Sequence, residues 1–368
     1  MDIFPFFNSV WWDVNKDNIL HIVDAIVFLL FLISVLYLLF FAIMSTIKWK
    51  QKYEEAKKCH HFLIIFFART NDDNNLLRSI SEFLKQNYPR ANYNIVVGYS
   101  ELNNHTIEQL SNAGITLYQL EKGYHIGHSL KAILSNITHK KYDMALLFDA
   151  NNIVSTDYIK RINEAFYSGC MAIQSHRVPI EIRSLSDRIN AFSEGINNSI
   201  FRKGHVQLGF SSALNSSGIA LDYKWLMENL HSLPEDDIIK KLETTLLKQN
   251  IYIDYMNNVY TFLSESTSKE NIQYERSKWQ KDKYVNLFKE LPKLPIFFFQ
   301  GNWDYCDKLL QWAIPSRFIL TFLIALITCI TFLYDWNISI KWFILLIILL
   351  FTYAIAAPDK LNKEELKS

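Results

Sequence analysis

The chain predicts an α/β domain on a parallel sheet, flanked by apolar helices that cross a membrane. Three observations predict it. Between about residues 61 and 290, short apolar runs alternate with amphipathic stretches of helical period, the pattern of strands covered by helices. Long apolar runs of bilayer-spanning character stand before this region and after it. One strand-like run, Met144 to Phe148, ends on Asp149-Ala150-Asn151, at the strand end where α/β sheets bind ligands.

The first membrane helix is predicted over Ala25 to Met44, a run without formal charge and rich in Ile, Leu, Val and Phe. It is too long and starts too far from Met1 for a cleaved signal peptide, and no small-residue cleavage site follows. Lys48, Lys50, Lys52, Lys57 and Lys58 follow it, whereas Asp2, Asp13, Asp17 and Asp24 precede it against the single Lys16. This asymmetry puts the lysine side in the cytoplasm. Phe318 to Tyr334 and Ile340 to Ala357 are two further runs, separated by a turn at Asp335-Trp336-Asn337; Arg317, Lys360, Lys363 and Lys367 agree with the same orientation. Both are short for a crossing, so their tilt must be small or the local bilayer thin, with a buried soluble hairpin as the alternative.

With a net charge of +1 and half its residues hydrophobic, the chain has no excess of charge that would bind nucleic acid. Cys59, Cys170, Cys306 and Cys329 are scattered without CxxC spacing and read as reduced, structural thiols.

Within the soluble region, residues 61–67, 93–97, 115–118 and 144–148 read as strands, and 76–86, 106–113, 129–138 and 157–167 as helices. Between Leu294 and Ile314, aromatic and apolar groups mix with Asp304, Asp307 and Lys308. The spacing of Tyr305, Leu309 and Trp312 suits either an interfacial helix or a helix packed on the soluble core.

Asp149 has two readings by itself: a turn or helix-capping residue, or a ligand for a metal diphosphate. Glu235-Asp236-Asp237 stands before Ile238, Leu242 and Leu246 at helical spacing, so these acids sit in a first helical turn and are also available for proton transfer. His128, His176 and His205 have no metal-ligand spacing and read as hydrogen-bonded structural groups. Arg202-Lys203 reads as an anion-binding pair or a solvated helix end.

Several blocks, in order, resemble the membrane-bound family 2 glycosyltransferases of GT-A fold, in particular a bacterial polysaccharide-synthase-like branch. They are Phe67-Ala68-Arg69-Thr70-Asn71-Asp72, Gln86-Asn87-Tyr88-Pro89, Phe148 to Val154, Gln174-Ser175-His176-Arg177, Ser193 to His205, Leu208 to Leu214, Pro234 to Asp237, and Glu275-Arg276-Ser277-Lys278-Trp279. The resemblance covers nearly the whole chain. It implies a Rossmann-like nucleotide-diphospho-sugar transferase domain that moves a sugar, with inversion, to a glycan or lipid-linked acceptor. It assigns Asp149 and Asn151 to a divalent cation, Mg or Mn, and Ala68, Arg69, Ser100, His128, Asp149, Asn151 and Arg177 to the donor nucleotide. Asp236, with Glu235 beside it, is matched to the general base; Arg276, Lys278 and Trp279 fall where the QxxRW motif holds the pyrophosphate and the acceptor end. The implied location is the bacterial cytoplasmic membrane, with the catalytic domain inside the cell.

Five positions depart from the family pattern. An aspartate expected after the second strand is Ser100, a lysine is His128, the second metal carboxylate is Asn151, and QxxRW begins with Glu275 and carries Lys278 for its arginine. Losing one unit charge about 4 Å from a cation forfeits on the order of 4 kcal/mol at an effective dielectric of ~20. Lys278 keeps charge but not the bidentate fork. Two expectations follow: an active transferase using a nucleotide sugar, a cation and membrane lipid surroundings, or a degenerate relative acting as scaffold or regulator of an active homologue. The predicted organisation is a membrane segment at 1–47, a basic linker at 48–60, the GT-A domain at 61–290, an interfacial segment at 291–316, a helical pair at 317–357 and a tail at 358–368.

Overall fold

Residues 9–48, 53–69, 72–121, 126–137, 141–180, 184–234, 237–264 and 269–357 are described by a computed structural model, with the backbone course alone for 9–17 and 269–279. The strands in chain order are β1 (Phe62–Ala68), β2 (Tyr93–Tyr99), β3 (Thr116–Gln119), β4 (Met144–Asp149), β5 (Asn152–Val154), β6 (Ala172–Pro179), β7 (Ile219–Asp222) and β8 (Ile253–Leu263). They form one sheet in the order β3-β2-β1-β4-β7-β6-β8-β5.

β1 is buried over its whole length because both faces of the sheet are covered. Phe62, Ile64, Phe66 and Ala68 enter one apolar cluster, and Leu63, Ile65 and Phe67 the other, as the two-residue period of a strand requires. β4 divides in the same way, Met144, Leu146 and Phe148 to the first cluster, Ala145 and Leu147 to the second. On the first face, the ring of Phe83 meets Phe66 and Phe148 edge-on at 5.2 and 4.9 Å.

The helices are α1 (Ser9–Thr46), α2 (Asp73–Leu84), α3 (Asn104–Asn112), α4 (Ile126–Asn136), α5 (Tyr158–Tyr167), α6 (Leu185–Asn197), α7 (His205–Gln207), α8 (Tyr223–Asn229), α9 (Ile238–Lys248), α10 (Lys269–Glu290), α11 (Leu294–Phe299), α12 (Trp303–Ala313), α13 (Arg317–Tyr334) and α14 (Trp336–Ala356). α2 buries Leu76, Ser79, Ile80 and Phe83, one face at helical spacing. α6 opens on a capping box in which Ser184 and Asp187 satisfy each other's backbone N–H.

The four strands and four helices expected from the apolar periodicity are present within a few residues. The sheet, however, is mixed. β1, β2, β3 and β4 run parallel, whereas β7 is antiparallel to both β4 and β6. β5 and β6 escape a periodicity reading for a physical reason. β5 has only three residues, and β6 carries Gln174, Ser175 and Arg177 buried inside a polar interior.

The chain divides into two compact units, residues 44–313 with 356–368, and residues 1–43 with 314–355. In the second, three helices among the described residues are long and apolar enough to cross a membrane. There Trp342 Nε1 donates to Asp24 Oδ1 at 2.8 Å, Lys341 pairs with the same carboxylate, and Phe28 and Phe31 pack edge-on against the Trp342 ring. In the first unit, Tyr305, Leu309 and Trp312 of α12 are buried in the second apolar cluster. Of the two readings of that stripe, core packing is the one the structure takes.

Candidate active site

The carboxyl ends of β1, β2 and β4 bring Ala68, Arg69, Ser100 and Asp149 to one edge of the sheet. Phe67 is opposite Asp149 and Ala68 opposite Tyr99 in the parallel register, and Ser100 N donates to Ala68 O at 3.2 Å. Arg69 N donates to Asp72 Oδ2 at 2.8 Å, closing the turn into α2. His128 is exposed in the first turn of α4.

Asp149 is half-buried, and its backbone N–H donates to Asn152 Oδ1 at 2.8 Å. Ser216 Oγ approaches Asp149 Oδ2 at 3.4 Å. Asn151 does something a carboxylate could not: its Nδ2 donates to Ser264 O at 3.2 Å while its Oδ1 accepts from Asn152 Nδ2 at 3.3 Å. Ser264 N and Oγ in turn donate to Asn151 O at 3.0 and 3.1 Å. The residue thereby ties the turn after β4 to the end of β8.

Facing Asp149 is a buried polar cluster which the sequence reading only grazed. Arg177 on β6 is buried, lies 3.9 Å from Glu194 Oε1 and feels the charge of Asp149. Burial opposes its positive charge, and Glu194 and Asp149 work the other way. Arg202 donates to Glu194 Oε1 at 2.8 Å, and Asn215 Nδ2 donates to the same oxygen at 3.1 Å. Although burial favours the neutral acid, Arg202 and Arg177 hold the Glu194 pKa down at about 2. Arg177 Nε has no hydrogen-bond partner among the described residues.

This cluster exists because the helix after α6 widens into π-helical turns over Asn198–Gly204. Such widening is rare and commonly marks function. It points Asn198 and Arg202 inward, where Asn198 Nδ2 donates to Arg177 O at 2.8 Å and Arg202 donates to Asn198 Oδ1. Arg202 is therefore a buried structural cation and not a solvated helix end. Neither Glu194 nor the widened turn has a periodicity signal; Glu194 lies in the Ser193-to-His205 block, to which the resemblance assigns no role.

Of the three histidines expected to be hydrogen-bonded structural groups, His205 and His176 have such bonds described. His205 is buried, with Nδ1 donating to Ile200 O at 2.6 Å. His176 has Nδ1 3.0 Å from Asn257 O, and burial lowers its pKa to about 4, so it is neutral at pH 7.

Of the expected acceptor-side groups, Glu235 and Asp236 lie outside the described residues, and Arg276, Lys278 and Trp279 are on α10 with their side chains outside them. The neighbouring Asp237 is described. It takes a left-handed backbone, φ 52°, uncommon for a non-glycine residue. Its carboxylate accepts from Lys240 Nζ at 3.1 Å and from Asn286 Nδ2, linking the start of α9 to α10. Burial raises its pKa.

No group of three or more His, Cys, Asp or Glu side chains suited to a metal occurs among the described residues. The donor set fits the protein's half of a site in which phosphate oxygens complete the coordination sphere. Mg²⁺ commonly takes one or two carboxylates with substrate phosphates, and Asp149 would supply one. Asn151 is the poorer candidate for a second ligand, since its amide brings no charge to a hard cation and its Nδ2 is held by Ser264 O.

No protein-family model matches the chain, and no curated protein matches it. Among solved structures it is similar to the mannosyltransferase PcManGT from Pyrobaculum calidifontis in complex with GDP-Man and Mn2+. That match has 14% identity and a TM-score of 0.53, over 90% of this chain and 97% of that one. The fold is GT-A. S. aureus TarS 1-349 in complex with UDP-GlcNAc aligns over 57% of this chain and 60% of that one, with 13% identity and a TM-score of 0.41.

Proposed function

We propose that the chain is a membrane-anchored, inverting glycosyltransferase of family 2 type that moves a hexosyl group from a nucleotide-diphosphate donor to a cell-envelope glycan or lipid-linked acceptor. The observation that carries this reading is Asp149 at the carboxyl end of β4, beside the ends of β1 and β2 and within the field of the buried Arg177. The GT-A mannosyltransferase with the same fold was solved with GDP-Man and Mn2+, which supports a nucleotide sugar and a divalent cation here.

In this mechanism the acceptor hydroxyl oxygen attacks the anomeric carbon as the carbon–oxygen bond to the diphosphate breaks. Asp236, with Glu235 beside it, takes the acceptor's proton, and the nucleoside diphosphate leaves with the bonding pair. Arg177 faces the developing negative charge as a fixed cation. Ala68, Arg69, Ser100 and His128 border the nucleotide, and Arg276, Lys278 and Trp279 on α10 meet the pyrophosphate and acceptor end. Asp149 would hold a divalent cation, whose chemistry is to neutralise the leaving diphosphate. The apolar helices α1, α13 and α14 anchor the chain in the bacterial cytoplasmic membrane.

The commitment of Asn151 to Ser264 favours a second reading, a scaffold or regulator of an active homologue. Titration of the purified full chain with nucleoside diphosphates and Mn²⁺ separates the two. Metal-dependent binding, together with loss of sugar transfer in Asp236→Asn, is the expected result. Absence of binding to every nucleotide would leave the scaffold reading.

A further inference from the structure

Residues 215–218 lead into β7 beside the carboxyl end of β4, where Asp149 stands. Gly218 N donates to Leu147 O at 2.9 Å. From β6 the buried Gln174 holds the same stretch, accepting from Asn215 N at 2.8 Å and donating to Ser217 O at 3.0 Å.

The side chain of Asn215 lies between two groups of opposite need. Its Oδ1 accepts from Ser216 N at 2.7 Å, and its Nδ2 donates to Glu194 Oε1 at 3.1 Å. A backbone N–H only donates and an ionised carboxylate only accepts, so this position needs a side chain that does both. An aspartate of the same shape would set two carboxylates against each other. On one side of this bridge, Ser216 Oγ approaches Asp149 Oδ2 at 3.4 Å. On the other, Arg202 and Arg177 stand 2.8 and 3.9 Å from Glu194 Oε1. One run of contacts thus joins the carboxylate expected to hold a cation to the arginine expected to face the diphosphate, and Asn215 is its midpoint.

We propose that Asn215 is a positioning residue for metal-diphosphate binding, spacing Asp149 and Arg177 so that a divalent cation and a diphosphate bind together. Groups that orient a metal ligand from behind commonly control affinity by about 10–100-fold. The inference rests on Asp149 meeting a metal diphosphate, the reading proposed above, and deepens it.

The test titrates the purified full chain with GDP and with UDP at a series of Mn²⁺ concentrations, each variant well below its own melting midpoint. Asn215→Asp should raise the Mn²⁺ concentration at half-maximal binding by about tenfold or more. Asn215→Ala, which puts no charge beside Glu194, should shift it in the same direction, and either single variant suffices where the other does not fold. Asn215→Asp combined with Glu194→Gln exchanges donor and acceptor across the contact at constant charge, and should bring the Mn²⁺ requirement back towards the native value. A merely structural role would lower the melting midpoint and leave that requirement where it was. Lys224→Gln, at an 84% exposed side chain elsewhere, should not move it. Unchanged Mn²⁺ dependence in a folded single variant, or no recovery in the double variant, would overturn this inference and leave the proposed function standing. A native chain that binds neither nucleotide at any Mn²⁺ concentration would overturn both.

Discussion

Arg202 reaches back eight residues to Glu194, 2.8 Å from nitrogen to oxygen, across a stretch in which the helix widens from α to π turns. The pair is buried beside Arg177, so a cation that feels the charge of Asp149 is set by an element with no apolar period of its own.

Replacing Arg202 by Leu should therefore cost about 3–5 kcal/mol, because it leaves a buried carboxylate short of its partner. Denaturant unfolding of the variant checks this. The double variant Arg202→Leu with Glu194→Leu should recover part of the loss.

The same pair gives a pH dependence of known sign. Glu194 has its folded pKa lowered to about 2 from an unfolded value near 4.5. Its contribution is present in full above about pH 4.5 and is lost as pH falls towards 2. Glu194→Gln should flatten the stability curve over that interval, measured by thermal melts at successive pH values.

Asn151→Asp, the change that would complete the familiar acidic pair, should not create a strong metal site. It would set a carboxylate against Ser264 O, 3.2 Å away, in place of an amide donor. A loss of about 1–3 kcal/mol is expected. Calorimetric Mn²⁺ titration showing a large gain in affinity without destabilisation would contradict this account.

Asp149→Asn should lower sugar transfer by at least about a hundredfold, consistent with the loss of a charge-stabilising group in a water-poor site. Initial rates with a matched nucleotide sugar measure it.

Gly218→Ala should destabilise the sheet by about 2–4 kcal/mol. Gly218 has φ +70°, and an added Cβ would stand 2.3 Å from Ser175 Oγ and 2.8 Å from Thr261 Oγ1. Urea unfolding is the check.

Local pattern alone settled a good deal of this protein. β1 and β4 are legible because a strand covered on both faces must be apolar throughout, and α2 and α5 because one buried face repeats at helical spacing. The three long apolar helices follow from length and composition, and Asp149 from its place at the end of an apolar run. What tertiary structure decided is how polar groups are paired. Asn151 reads in sequence as a missing carboxylate, and only the approach of Ser264, 113 residues later, makes it a clasp. Likewise the antiparallel course of β7, the inward turn of Arg202 and the lysines gathered on Glu290 depend on partners distant in the chain. Apolar burial writes a period into the sequence because it is non-directional and repeated; a hydrogen bond or ion pair needs one partner at one distance, which no neighbouring residue records.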